Sequence, residues 1–399
     1  MKITAIETIR LDEIPNLLFV RVHTDEGLVG LGETFFGPRA VEAYLHETAA
    51  DLLLGEDALA IDRHARRLHG YVGYSSSGVE TRGNSAVDIA LWDLLGKTTG
   101  QPVCQLLGGR TRERVRTYNT CAGPLYIRGP RQQVSNWGLP GAAAADDYED
   151  LDAFLHRADE LAESLLAQGI TGMKIWPFDP YAEASDGQYI SSQDLSTALE
   201  PFRKIRRAVG DRMDIMVEFH SLWNLPTSKR ICAALEEFEP AWFEDPIKAD
   251  DLGSLAELAA TTAVPLTLSE TLAGRGAFRD LLEERVAGIV MLDLSWCGGL
   301  TEAKKIASMA EAYHRPVAPH DCTGPVVLTA STHLSVNAPN AMIQETVRAF
   351  YRGWYQELVT QLPTVADGHV APPPGPGLGT DLRPEVLRRR DVHVQRSGR

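Results

Sequence analysis

The chain is short of positive charge. Its 39 lysines and arginines stand against 54 aspartates and glutamates, a formal net charge of −15. That balance excludes nucleic acid and anionic membrane surfaces as partners, since both call for a basic patch. A small anionic substrate stays open, because one bound divalent cation reverses the sign locally. Cysteine is also scarce: five, an odd number, scattered at positions 104, 121, 232, 297 and 322. No disulfide framework follows, and the expectation is buried thiols in a reducing cytoplasm. No run is long and apolar enough to span a bilayer. The first residues, Met1-Lys2-Ile3-Thr4-Ala5, lack the basic-then-apolar layout of a signal peptide. What is present, 399 residues of which 44% are hydrophobic, suits two globular domains, one of them large.

The first stretch reads as antiparallel strands, Lys2 to Arg10, Leu17 to His23 and Leu28 to Glu33, with Asp25-Glu26-Gly27 as a hairpin turn. Helical patterns follow over Pro38 to Leu54, Ala58 to Gly70 and Asn84 to Lys97. Strands followed by helices make an α+β unit, expected over residues 1–114. Strand and helix then alternate. Candidate strands are Val115–Thr120, Gly169–Ile175, Asp214–Glu218, Ala241–Glu244, Val264–Ser269, Ala287–Asp293, Arg315–Ala318 and Ala341–Glu345. Eight such units over 115–370 predict an α/β fold of the TIM-barrel type rather than an open sheet. The tail, 371–399, is expected to return irregularly to the first domain and end in a mobile basic terminus. Ala122 to Asp150 is too long for an ordinary strand–helix connection and reads as a binding loop or a disordered insert.

The informative feature is a rhythm. Glu218, Glu244 and Glu270 each close an apolar strand-like run, at intervals of 26 and 26 residues, about one βα unit. Neighbouring parallel strands bring their ends together at the C-terminal face of a barrel, where barrel enzymes place their chemistry. Three carboxylates meeting there need a cation, and an all-oxygen set suits a hard one, Mg²⁺ before Mn²⁺ or Ca²⁺. Asp293, His320 and Glu345 continue the series at intervals of 23, 27 and 25. Asp293 and His320 on adjacent strand ends would make a carboxylate–imidazole pair, a general base. His220, two residues beyond Glu218, is expected to share its face, and Lys174 adds a positive charge to the same mouth.

Other residues have plainer readings. Any single acidic residue after an apolar run is more often a cap or a surface turn. Glu33 reads as a charged strand end beside a turn, and His23 and His314 as solvated or structural. Gly298-Gly299 turns the chain, with a phosphate cradle as the lesser reading. Trp176 reads as core or substrate wall.

The helix Ser85 to Lys97, the runs Trp242-Phe243-Glu244-Asp245-Pro246, Ser269-Glu270 and Ala318-Pro319-His320, Asp293 with Gly298-Gly299, and Gly375-Pro376-Gly377-Leu378-Gly379 together resemble the enolase superfamily, and within it the mandelate racemase-like group. The resemblance covers nearly the whole chain. It implies a modified (β/α)7β barrel under an N-terminal α+β capping domain. It implies Mg²⁺ held by Glu218, Glu244 and Glu270, a base dyad of His320 and Asp293, and Glu345 bonded to the substrate carboxylate. Lys174 matches the first lysine of the family's Lys-x-Lys motif. Glu218-Phe219-His220 resembles the Asp-x-His of galactonate dehydratase-like members, which implies His220 as the acid for the leaving hydroxyl. The chain departs from the pattern twice. Trp176 stands where a racemase carries its second base, and Glu218 lengthens the first ligand by one methylene, about 1.5 Å.

The expected function is therefore a hydro-lyase: Mg²⁺-dependent dehydration of an aldonate or aldarate to a 2-keto-3-deoxy acid through an enediolate. The rivals are an epimerase, racemase or cycloisomerase using the same enediolate, and a non-catalytic barrel that binds metal and a sugar acid. The family is commonly oligomeric, so the resemblance also implies a homo-oligomer. Specificity is expected from the loops near Leu11 to Leu17 and Tyr71 to Gly78 and from the long segment, with Tyr74, Trp137 and Tyr148 giving shape.

Overall fold

The computed structural model describes residues 1–71, 73, 76–126 and 148–398. Tyr74 and Trp137 lie outside the described residues, as does most of the long segment after Ala122. Strands β1 (Ile3–Leu11), β2 (Leu17–Thr24) and β3 (Val29–Phe35) form an antiparallel meander, turned at Gly27 with φ 81°. The helix Val79–Thr99 packs across this sheet and ends at left-handed Gly100. Two glycines of β3 permit that approach. A Cβ on Gly30 or Gly32 would overlap the backbone oxygens of Ala90 and Ala86. Asp93, buried on the same helix, accepts N–H bonds from Leu31 (2.9 Å) and Leu378 (2.8 Å) and pairs with Lys97 (2.7 Å). One carboxylate thus ties capping strand, helix and tail together.

The larger sheet is parallel along β4 (Val115–Thr120), β5 (Gly172–Ile175), β6 (Asp214–Glu218), β7 (Trp242–Glu244), β8 (Leu266–Leu268) and β9 (Ile289–Val290). Strand β10 (Gln344–Thr346) pairs with β4. Between β9 and β10, the expected strand Arg315–Ala318 is reduced to isolated bridges from Val317 to Val290 and to Ala341. Pro316 and Pro319 flank the segment and have no N–H to give a ladder. Strands β11 (Thr364–Ala366) and β12 (His369–Ala371) form a hairpin laid on the outer side of β4. The tail does not stay irregular: β13 (Val392–Gly398) pairs with β1 over seven residues and completes a four-stranded capping sheet.

Side chains alternate along each barrel strand, so residues two apart share the interior. Tyr118, Met216, Trp242, Met291, Ala318 and Ile343 form one buried apolar layer. Two residues further along the same segments come Thr120, Glu218, Glu244, Asp293, His320 and Glu345. The polar layer therefore stands on an apolar floor that fixes its height. All five cysteines are free and buried. Among the described residues no helix is long and apolar enough to cross a membrane.

Candidate active site

Glu218, Glu244 and Glu270, ending β6, ending β7 and lying just past β8, offer one carboxylate oxygen each within 4.8 Å of one another, and all three are buried. Lys174, at the end of β5, enters the same cluster. Its ammonium contacts Glu244 and lies 2.9 Å from Glu345 and 3.5 Å from Glu218. Glu218 is aimed by the N–H groups of Phe219 (2.9 Å) and His220 (2.6 Å), Glu244 by the indole of Trp242 (2.9 Å). Glu345 accepts from Thr120 and from the Asp321 N–H (2.7 Å). Three carboxylates, Glu218, Glu244 and Glu345, share one lysine. Burial pushes Glu218 up to about 8 and also raises Glu244 and Glu270, the cost of holding anions close together away from water. Such an all-oxygen, negatively overcharged donor set fits a hard divalent cation.

His320 Nδ1 bonds Asp293 Oδ2 at 2.8 Å, and its Nε2 lies 3.1 Å from Glu270 Oε2. The other oxygen of Asp293 accepts from the Ser295 N–H (2.6 Å), so the carboxylate is held from both sides. Trp296 stacks on the imidazole, centroids 5.4 Å apart, and Phe36 of the capping domain stacks on Trp296 at 5.7 Å. Burial works against a charge on His320, but Glu270, Glu345 and Asp293 outweigh it and lift the ring to about 10. A cation held by Glu270 would oppose part of that lift, with Glu345 and the Asp293 bond still raising the ring.

His220 reaches the same cavity, though not by strand alternation. Strand β6 ends at Glu218, and left-handed backbone at His220 (φ 49°) and Ser221 (φ 57°) turns the ring inward. Its Nδ1 bonds Asp179 Oδ2 at 2.7 Å. Burial pushes the imidazole down and the carboxyl up, so the pair holds one proton with no net charge. Trp176 is buried and walls the cavity as expected of it, between Tyr126, Phe154 and His220. The cavity that these groups share, walled also by Phe36 and Trp296, has a volume of about 30 Å³. A larger cleft of about 700 Å³ lies between the Ile61–His69 helix and the outer barrel helices. There Lys305 pairs with Asp62 and Arg275 with Glu302, and the convergent acids and bases lie in the smaller cavity.

One expectation is corrected and one lesser reading is set aside. Glu33 is not a charged strand end in solvent. It is fully buried and accepts the N–H groups of Val326 (3.2 Å) and Val327 (3.0 Å), in the first turn of the helix Pro325–Asn337. Gly298-Gly299 turns the chain as expected, with φ 117° and 81°, and the lesser reading as a phosphate cradle gives way: Ser85 accepts the Gly298 N–H and Asp88 the Thr301 N–H, both from the capping helix. Asp179, Trp296 and Phe36 went unnoticed in the sequence. Asp179 and Phe36 follow strand ends by one to four residues, and Trp296 follows Asp293 by three, which is the only signal that marked them.

Burial lifts the Glu33 carboxyl from 4.5 to about 8 against its two N–H bonds. A raised folded pKa means that the folded state binds the extra proton. Its contribution to stability is therefore complete below about 4.5 and is lost as pH rises to about 8. Chemical denaturation of the chain and of Glu33→Gln from pH 5.5 to 8.5 should show the parent losing stability relative to the variant as pH rises. A constant difference across that range would remove the titration.

Fold and site together define a capped β/α-barrel enzyme with an acidic cluster at its strand ends. Residues 157–386 match the enolase C-terminal domain-like family. Residues 4–108 match the mandelate racemase/muconate lactonizing enzyme N-terminal domain. The D-galactonate dehydratase of Ralstonia nicotianae is 32% identical over 389 residues, covering 96% of this chain and 92% of that protein. That of Xanthomonas euvesicatoria is 33% identical, covering 98% and 94%. A crystal structure of an enolase of the mandelate racemase subgroup from Agrobacterium tumefaciens is 56% identical, with a TM-score of 0.89 over 100% of this chain and 99% of that one. The chain belongs to the enolase superfamily, with the N- and C-terminal domains of its mandelate racemase/muconate lactonizing enzyme branch. It is an enzyme of the hydro-lyase class, and members of its superfamily bind a divalent metal.

Proposed function

We propose that the protein dehydrates an acid sugar, an aldonate or aldarate, to a 2-keto-3-deoxy acid in a Mg²⁺-dependent reaction. Glu218, Glu244 and Glu270 would hold the ion. When bound, Mg²⁺ supplies electrostatic stabilisation to negative charge developing on the substrate's carboxylate end. Lys174 and Glu345 orient that carboxylate. His320, held by Asp293, takes the proton from the carbon next to it, leaving an enediolate. His220, sharing a proton with Asp179, gives that proton to the 3-hydroxyl as the C3–O bond breaks. Water departs and the enol tautomerises to the ketone. The metal and residue assignments, like the division into a capping domain at 1–114 and a barrel at 115–370, belong to this proposal.

The observation that carries the reading is that two carboxylate-bonded imidazoles, His320 and His220, border the same cavity as Glu218 and Glu270. One is placed to take a proton and the other to give one. The relatives' activity supports the same reaction. Trp176 stands where a second lysine base would be needed for racemisation by a lysine. The test is purified protein with Mg²⁺ against stereochemically complete sets of aldonic and aldaric acids, with semicarbazide detecting the keto acid. A semicarbazide-positive product is expected. An epimer with no keto acid would replace dehydration by 1,1-proton transfer, and tight binding with no turnover would leave a binding barrel.

A further inference from the structure

Arg82, near the start of the Val79–Thr99 helix, brings a cation to the wall of the site from the capping domain. Its guanidinium carbon stands 5.7 Å from the Phe36 ring centroid and 5.6 Å from that of Trp296, both of which wall the cavity. Trp296 in turn stacks on His320, so one indole separates the guanidinium from the imidazole. Among the described residues Arg82 has no ion pair. Its one acceptor is the Phe36 carbonyl at 3.4 Å, and its Nε is buried with no partner. A largely buried guanidinium without an ion pair is costly; Asp293 acts on it from a distance but does not pair with it, whereas Lys305 and Arg275 of the neighbouring cleft each have a carboxylate partner. The aromatic contacts hold the group beside the wall while its Nε is left without a partner, and a guanidinium offers the planar fork that matches a carboxylate.

We propose that Arg82 is a specificity-determining residue that binds the far carboxylate of the substrate, so that the acid sugar is a diacid, an aldarate, rather than an aldonate. This rests on the dehydration reading above, which commits the near carboxylate to Lys174 and the glutamates and sends the far end toward the capping domain.

The test compares stereochemically matched pairs, such as galactarate with galactonate, in the Mg²⁺-loaded enzyme. The parent should show the higher kcat/KM with the diacid of the best pair. Arg82→Met should lower the diacid-to-monoacid ratio of kcat/KM by roughly tenfold to a hundredfold, the size of a charge-assisted bond, mainly through KM. Arg82→Lys, which keeps the charge on a smaller change, should recover part of the ratio. An equal fall on both acids would make Arg82 a purely structural support of Trp296 and overturn the proposal, as would a parent that prefers the monoacid. If no acid is turned over, dehydration fails but Arg82 is still read out. Calorimetric titration of the same pairs should then show the diacid binding more tightly to the parent and losing that advantage in Arg82→Met, and equal affinities would overturn the assignment.

Discussion

His320→Asn lowers turnover by about a thousandfold and stops exchange of the substrate's α-hydrogen in heavy water, while Mg²⁺ still protects the variant against heat. The size follows from the position of the ring. His320 is buried, its Nδ1 is committed to Asp293, and its Nε2 is the nitrogen turned toward Glu270 and the cavity. Asparagine keeps a similar volume and a hydrogen bond to Asp293 but has no basic nitrogen to present. The apolar layer beneath, with Ala318 two residues before it, is untouched, so the fold should survive. Full α-exchange in the variant would move the base elsewhere, with His220 the next group to replace. Loss of exchange together with loss of Mg²⁺ protection would mean that the substitution had damaged the acidic cluster instead.

Chelation is expected to have the second large effect. EDTA should abolish turnover and lower the thermal midpoint, and millimolar Mg²⁺ should restore both. The carboxylates of Glu218, Glu244 and Glu345 crowd around the single ammonium of Lys174 and Glu270 lies against His320, so the site holds excess negative charge that burial makes expensive. A ligand at a hundred times its dissociation constant adds about 2.7 kcal/mol to stability. Glu270→Gln removes one charge and one strong donor, so its Mg²⁺-dependent gain should shrink toward zero. The variant should nonetheless unfold at a higher temperature than the chelated parent, because one repulsive carboxylate is gone. A parent whose midpoint ignores both EDTA and Mg²⁺ would sink the metal assignment for the three glutamates.

The barrel half of the site was readable because it is periodic. Glu218, Glu244, Asp293, His320 and Glu345 all lie at or just past strand ends, two residues beyond an apolar partner, and strand alternation alone aims them inward. The rhythm held even where the strand itself did not: two prolines cut the segment before His320 to a bridge, yet Ala318 and His320 keep their places. What lay outside that period was invisible or misread. His220 points inward through left-handed backbone and not through the strand, and Asp179 meets it across 41 residues. Glu33 read only as a charged strand end beside a turn because its two N–H donors sit nearly 300 residues away. The tail looked mobile because the pairing of β13 with β1 joins the two ends of the chain.

By itself, then, the order of residues determined the parallel strands and the spacing of the acids and the imidazole. These are local matters, settled by a two-residue alternation and a βα unit of nearly constant length. Only the tertiary structure decided that the capping domain brings Phe36 to the wall of the cavity with Arg82 beside it, that Glu33 and Asp88 lock it to barrel helices, and that a second histidine is paired with a buried acid. Those contacts depend on how two domains dock, and docking is governed by the complementarity of whole surfaces, which no spacing along one chain records.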